Sequence, residues 1–113
     1  MDTHDPQLSE FALEASEAAA VMRSLSNEAR LLVLCHLSEA TELSAGELTR
    51  RIGLSQSALS QHLARLRDDN LVTTRKEAQT VFYRVADPKV HRVLALLHEL
   101  YCPALGRSEE TRA

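Results

Sequence analysis

Tryptophan is absent, and Phe11, Phe82, Tyr83 and Tyr101 are the only aromatic residues among 113. A core must therefore be built from Leu, Val and Ala, which suits packed helices. Only three Gly and three Pro occur, which argues against a collagen-like or long disordered chain. Two Cys do not make a secreted disulfide scaffold; they read as thiols in a reducing, cytoplasmic compartment. No apolar run approaches the roughly 18 residues that cross a bilayer, so no membrane partner is expected. The opening Met1-Asp2-Thr3-His4-Asp5-Pro6 is acidic and polar, unlike a secretory leader. The length suits a single domain over 1–113, with flexible tails expected at 1–7 and 106–113. Burial is limited at this size, so a second copy of the chain is a natural source of further core.

What is present is unevenly charged. Residues 1–49 hold two basic against nine acidic side chains, a net of −7, whereas residues 50–92 hold nine against four, a net of +5. The remainder carries −1, giving −3 for the chain. A basic middle in an acidic protein is the footprint of a phosphate-facing surface, although chance clustering on solvated faces gives the same sums.

Leu8, Phe11, Ala15, Ala19 and Met22 recur at threes and fours and predict an amphipathic first helix. Glu10, Glu14 and Glu17 are expected in its first turns, where the helix dipole favours them. Ser24-Leu25-Ser26-Asn27 offers caps for a second helix, whose residues 31–36 are apolar at five of six positions and predict burial on most sides. Ser44-Ala45-Gly46-Glu47 is a capping box opening a short helix with Leu48 and Ile52. Gly53 breaks that helix. Ser55 caps the next, from Gln56 to about Asp69, with Leu59, Leu63 and Leu66 as its inner seam and Asn70 as its end. Residues 72–76 and 80–85 are rich in β-branched and aromatic types and predict a hairpin across Glu77-Ala78-Gln79. Asp87-Pro88 starts a last helix with an apolar stripe from Val90 to Tyr101, ended or kinked by Pro103. The fold class is mostly α with a β-hairpin wing: a winged helix-turn-helix, closed as a dimer through its first and last helices.

In such a motif the second helix enters the major groove with its N-terminal residues on base edges. Here these are Ser55, Gln56, Ser57, Ser60 and Gln61. Gln suits bidentate contact with adenine, and Ser reaches bases or phosphates. Arg65, Arg67, Arg75, Lys76 and Arg84 supply countercharge, with Arg75, Lys76 and Gln79 expected near the wing tip. A polar, solvated helix would also use Ser and Gln. No nucleophile–base–acid set stands out, so no enzyme is expected, and no cofactor.

The stretch from Leu54 to Leu63, the run Leu66-Arg67-Asp68-Asp69-Asn70-Leu71-Val72, the wing Arg75 to Arg84 and the helix entry Leu25 to Leu31 together resemble the ArsR/SmtB family of bacterial repressors, over roughly residues 15–102. The resemblance implies a homodimeric regulator on an imperfect palindrome of double-stranded DNA, released by an inducer. Members similar to metal sensors carry Cys-x-Cys near the start of the short helix. Here that segment reads Glu47-Leu48-Thr49-Arg50-Arg51. Asp87, His91 and His98 are an incomplete zinc set, although a metal or arsenite inducer stays open.

Cys35 and Cys102 by themselves read as inert small hydrophobes. Their contexts, Leu34-Cys35-His36-Leu37 and Leu97-His98-Glu99-Leu100-Tyr101-Cys102, resemble the two-cysteine, sulfide- and redox-sensing branch of the family. That likeness implies a dithiol switch. Reduced thiols leave the dimer competent for DNA, and persulfides, polysulfides or other oxidants bridge Cys35 to Cys102. His36 and His98 are candidates to assist a thiolate. A protein-interaction module acting as an anti-repressor is the alternative from another class, and whether transcription falls or rises is left open.

Overall fold

The computed structural model describes residues 6–101. Helix α1 spans Pro6–Leu25. It begins before Leu8 because proline, with its fixed φ and missing N–H, suits a first helical position. Two of the residues expected as tail, Pro6 and Gln7, are therefore helical; the rest of 1–7 and all of 106–113 lie outside the described residues, as does Pro103. The earlier start also leaves no acidic residue in the first turn, so the dipole argument for Glu10, Glu14 and Glu17 does not hold.

Helix α2 (Glu28–Ala40) opens on Asn27, whose side chain accepts from Arg30 N at 2.9 Å. Val33, Leu34 and Leu37 are fully buried, whereas Leu32 is 43% exposed. Only Glu28, Leu32 and Glu39 of this helix are exposed, on one narrow face, so it is covered on most sides as its apolar run predicts. Strand β1 (Leu43–Ser44) follows; two residues are too few to show a period in sequence. Helix α3 (Ala45–Ile52) carries the expected capping box: Ser44 N donates to Glu47 Oε1 at 2.8 Å, and Glu47 N donates to Ser44 Oγ at 3.2 Å. These bonds, with the Ser44 backbone N–H foremost, hold the Glu47 carboxyl below its ordinary pKa.

Gly53 ends α3 at φ 84°, a left-handed conformation that a side chain would strain. Helix α4 (Gln56–Asp68) follows, with Leu59, Leu63 and Leu66 buried as its seam. Its end is a Schellman motif. Asn70 adopts φ 61°, Asn70 N donates to Arg67 O and Leu71 N to Leu66 O, and both leucines are buried.

Strands β2 (Val72–Glu77) and β3 (Thr80–Val85) form the wing, joined through Ala78 and Gln79. The order is β1-β3-β2, antiparallel throughout. With no Gly available, Ala78 itself takes φ 55°, the positive φ at a first turn residue that a II′ hairpin needs. Helix α5 (Pro88–Tyr101) starts where Asp87 Oδ1 accepts from Lys89 N at 2.8 Å, and it buries Val90 and Leu94. The element order is that of a winged helix-turn-helix. One leucine-rich core under α4 joins α2, α3, the sheet and α5. Among the described residues no helix is long and apolar enough to cross a membrane.

The core leaves both flanking helices partly bare. In α1, Leu8, Phe11, Leu13 and Met22 are each more than half exposed; so are Leu96, Leu100 and Tyr101 in α5. Soluble domains do not ordinarily leave so many large apolar side chains facing water on two helices.

Candidate nucleic-acid interface and thiol cleft

Ser55 is the N-cap of α4: its Oγ accepts from Ala58 N at 3.2 Å. The hydroxyl read from sequence as a base contact is thus first a cap. Gln56, Ser57, Ser60 and Gln61 are exposed. Because the leucine seam faces the core, the opposite face, with Ser57, Gln61, Ala64 and Asp68, is open to solvent. No carboxylate sits in the first turn, where free backbone N–H groups and the positive dipole end attract anions.

The cations behave differently from their sequence reading. Arg65 is exposed but donates from Nε to Asp69 Oδ2 at 3.0 Å. Asp69 also accepts from the Ser24 hydroxyl, and Arg30 Nε donates to Ser24 O at 3.0 Å. A clasp therefore ties the end of α4 to the α1–α2 corner. The Ser24 hydrogen bond, then Arg65, holds the Asp69 carboxyl below the usual range. A depressed carboxyl stabilises the fold above the ordinary Asp pKa and loses that contribution as pH falls through its native value. Asp69→Asn is accordingly expected to cost about 1 kcal/mol at neutral pH, the size of a partly exposed charged hydrogen bond. Urea titrations should show the gap to the parent closing in acid; a constant gap would disprove the electrostatic role.

Arg75 stands opposite Phe82, below the Glu77–Thr80 rung that closes the wing. Its Nε and Nη2 each donate to Glu42 carboxylate oxygens at 2.8 Å, Nη1 lies 3.7 Å from Glu77, and the guanidinium sits 4.6 Å from the Phe82 ring centre. The Arg75 bond holds Glu42 below its ordinary pKa, and Glu42 in turn raises that of Arg75. Lys76 and Gln79 are exposed at the tip, and Arg67 and Arg84 are exposed elsewhere. Glu42 and Asp69 were missed as site residues. Arg65 and Asp69 stand four apart, a helical spacing that signals a pair; nothing local links Glu42 to Arg75.

Cys35 is half-buried and packs against the core. It lines a cleft of about 220 Å³ with Ser38 and Glu39 of α2 and Leu94, Ala95 and His98 of α5. His36 is not among the lining residues. Ser38 Oγ and His91 Nδ1 are 2.8 Å apart, which engages His91 apart from His98. Among the described residues no three His, Cys, Asp or Glu side chains come together as a metal site. Cys102 lies outside the described residues.

The family model described as "Bacterial regulatory protein, arsR family" matches residues 27–74. The transcriptional activator HlyU of Vibrio cholerae serotype O1 is 53% identical over 97 residues, covering 86% of this chain and 89% of that protein. A structure named reduced HlyU from Vibrio cholerae N16961 matches with a TM-score of 0.78 at 53% identity, over 82% of this chain and 97% of that one. The biofilm growth-associated repressor of Agrobacterium fabrum is 35% identical over 102 residues, 90% of this chain and 86% of that protein. Mb0332 of Mycobacterium bovis, solved as a homodimeric winged helix-turn-helix DNA-binding domain, matches with a TM-score of 0.73 at 25% identity, over 95% of each chain.

Proposed function

This chain belongs to the arsR family of bacterial regulatory proteins, and from that premise we propose that it is a homodimeric, sequence-specific DNA-binding transcriptional regulator switched by its two thiols. The observation that carries the DNA half is the open N-terminal face of α4, with Gln56, Ser57, Ser60 and Gln61 exposed and no carboxylate in the first turn. Two copies joined through the bare stripes of α1 and α5 present two such faces to an imperfect palindrome, one per half-site about one helical turn apart. The solved fragment 1–100 of Mb0332, 95% of which is matched, is named homodimeric. Ser55, Gln56, Ser57, Ser60 and Gln61 take base edges and adjacent phosphates; Lys76 and Gln79 meet the flanking backbone. Arg65 and Arg75 add phosphate contacts only as their carboxylate partners yield them.

Reactive sulfur or another oxidant supplies the signal. One thiolate attacks a polysulfide sulfur and releases a shortened polysulfide anion. The second thiolate then attacks that cysteine's sulfur and expels hydrosulfide, giving a disulfide. Where the first adduct keeps a longer sulfur chain and the attack falls on an outer sulfur, the shorter remnant leaves and the bridge retains sulfur. Either way the two thiols lose two electrons to the polysulfide. The cleft around Cys35 gives a reagent access, and Cys102 stands four residues after His98, a lining residue of that cleft. A bridge there couples α2, which supports α3 and α4, to α5 and hence to half-site spacing.

Gln61→Ala tests the base-reading role. On an operator recovered by selection from random duplexes it should cost about 1–3 kcal/mol and relax one base position, with little change on unselected DNA. Equal losses on both would refute direct reading by Gln61.

A further inference from the structure

The wing holds an arrangement that DNA binding alone does not require. Arg75 is a cation on the wing, yet both oxygens of Glu42 accept from it at 2.8 Å. Carboxylate and phosphate are the two groups that an arginine fork binds in this two-bond geometry. The Nε and Nη2 edge is therefore already occupied as it would be by a phosphate. Phe82 supports the flat guanidinium at 4.6 Å, while the Arg75 side chain remains 46% exposed. Glu42 is anchored: it precedes buried Leu43, which pairs with Tyr83 on β3. Arg75 is likewise held by its backbone, opposite Phe82, but its side chain is the more open of the two to an incoming anion, 46% exposed against 22% for Glu42.

We propose that Glu42 is an intramolecular stand-in for a DNA phosphate, holding Arg75 in the free protein and lowering DNA affinity until a real phosphate displaces it. Glu42 is thus a positioning residue, acting on DNA only through Arg75, and this inference rests on the DNA-binding reading above. An exposed ion pair is worth little in water, so exchange of one anion for another is nearly balanced. That makes the carboxylate a device for trimming affinity rather than for abolishing it. The sum over the basic middle of the sequence overstates the charge available to DNA, because Glu42, an acid from outside that stretch, cancels part of it.

The test measures the salt dependence of binding to a short random-sequence duplex, where phosphate contacts dominate. Glu42→Gln keeps the side-chain shape and removes the charge. It should tighten binding roughly fivefold at low salt and steepen the slope of log K against log salt by up to about 0.9, one added phosphate contact. Arg75→Ala should cost more in the Glu42→Gln background than in the parent, a coupling that a merely structural role would not produce. Weaker binding by Glu42→Gln, an unchanged slope, or additive effects of the two substitutions would each overturn the proposal while leaving DNA binding intact. A parent chain that bound no duplex would instead remove the underlying reading, and the proposal with it. Circular dichroism and melting of every variant keep the comparison to folded protein.

Discussion

Phe11→Asp is expected to turn the protein into a monomer and to weaken operator binding by roughly 10² to 10⁴-fold. The range is what is lost when two linked half-site contacts become independent. Phe11 lies on the α1 stripe and is 71% exposed in the single chain. Replacing it removes little from the protomer's own core, which lies beneath α4. At an interface between copies, however, an aromatic side chain contributes a large buried area, and an unpaired aspartate there is costly to desolvate. Sedimentation should show half the parent mass with an unchanged helical spectrum, and anisotropy should show the affinity loss. A Phe11→Asp protein that stayed dimeric at full affinity would end the α1 pairing.

Cys35→Ser should abolish the response to polysulfide while leaving the affinity of the reduced protein near that of the parent. For the parent, treatment should lower DNA affinity about 5- to 150-fold, the usual range for coupling between two sites. Serine is close to cysteine in size but cannot be persulfidated. Cys35 lies in the cleft between α2 and α5, away from the exposed face of α4, which is why the untreated protein should bind normally. Mass spectrometry of the treated parent counts sulfur atoms retained between Cys35 and Cys102, and Cys102→Ser should remove the cross-link. If treated Cys35→Ser still released DNA, the dithiol switch would be wrong. Loss of the response only on adding a chelator would instead point to a metal inducer.

These expectations draw unequally on sequence and fold. The capping box at Ser44 and Glu47, the cap at Ser55, the break at Gly53 and the leucine seam of α4 were all legible in sequence and are all present. Strand β1 was not, because its two residues are held only by pairing with Tyr83 and Phe82. Nor was the turn conformation, where Ala78 takes a positive φ that its residue type does not announce. The start of α1 was misplaced by two residues: a proline read as tail serves as its first helical residue.

What the amino-acid order alone determined is what neighbours within about four residues can decide: where helices start and stop, which side of each is apolar, and which polar residues line the first turn of α4. That sufficed for the winged helix-turn-helix and for the family. Only the tertiary structure decided how the charges are spent. Glu42 meets Arg75 across 33 positions and Ser24 meets Asp69 across 45, because packing α2, α4 and the wing on one leucine core brings those segments together. It also decided which part of each stripe stays bare: Leu25, Val90 and Leu94 join the core, whereas Leu8, Phe11, Met22, Leu100 and Tyr101 do not reach it.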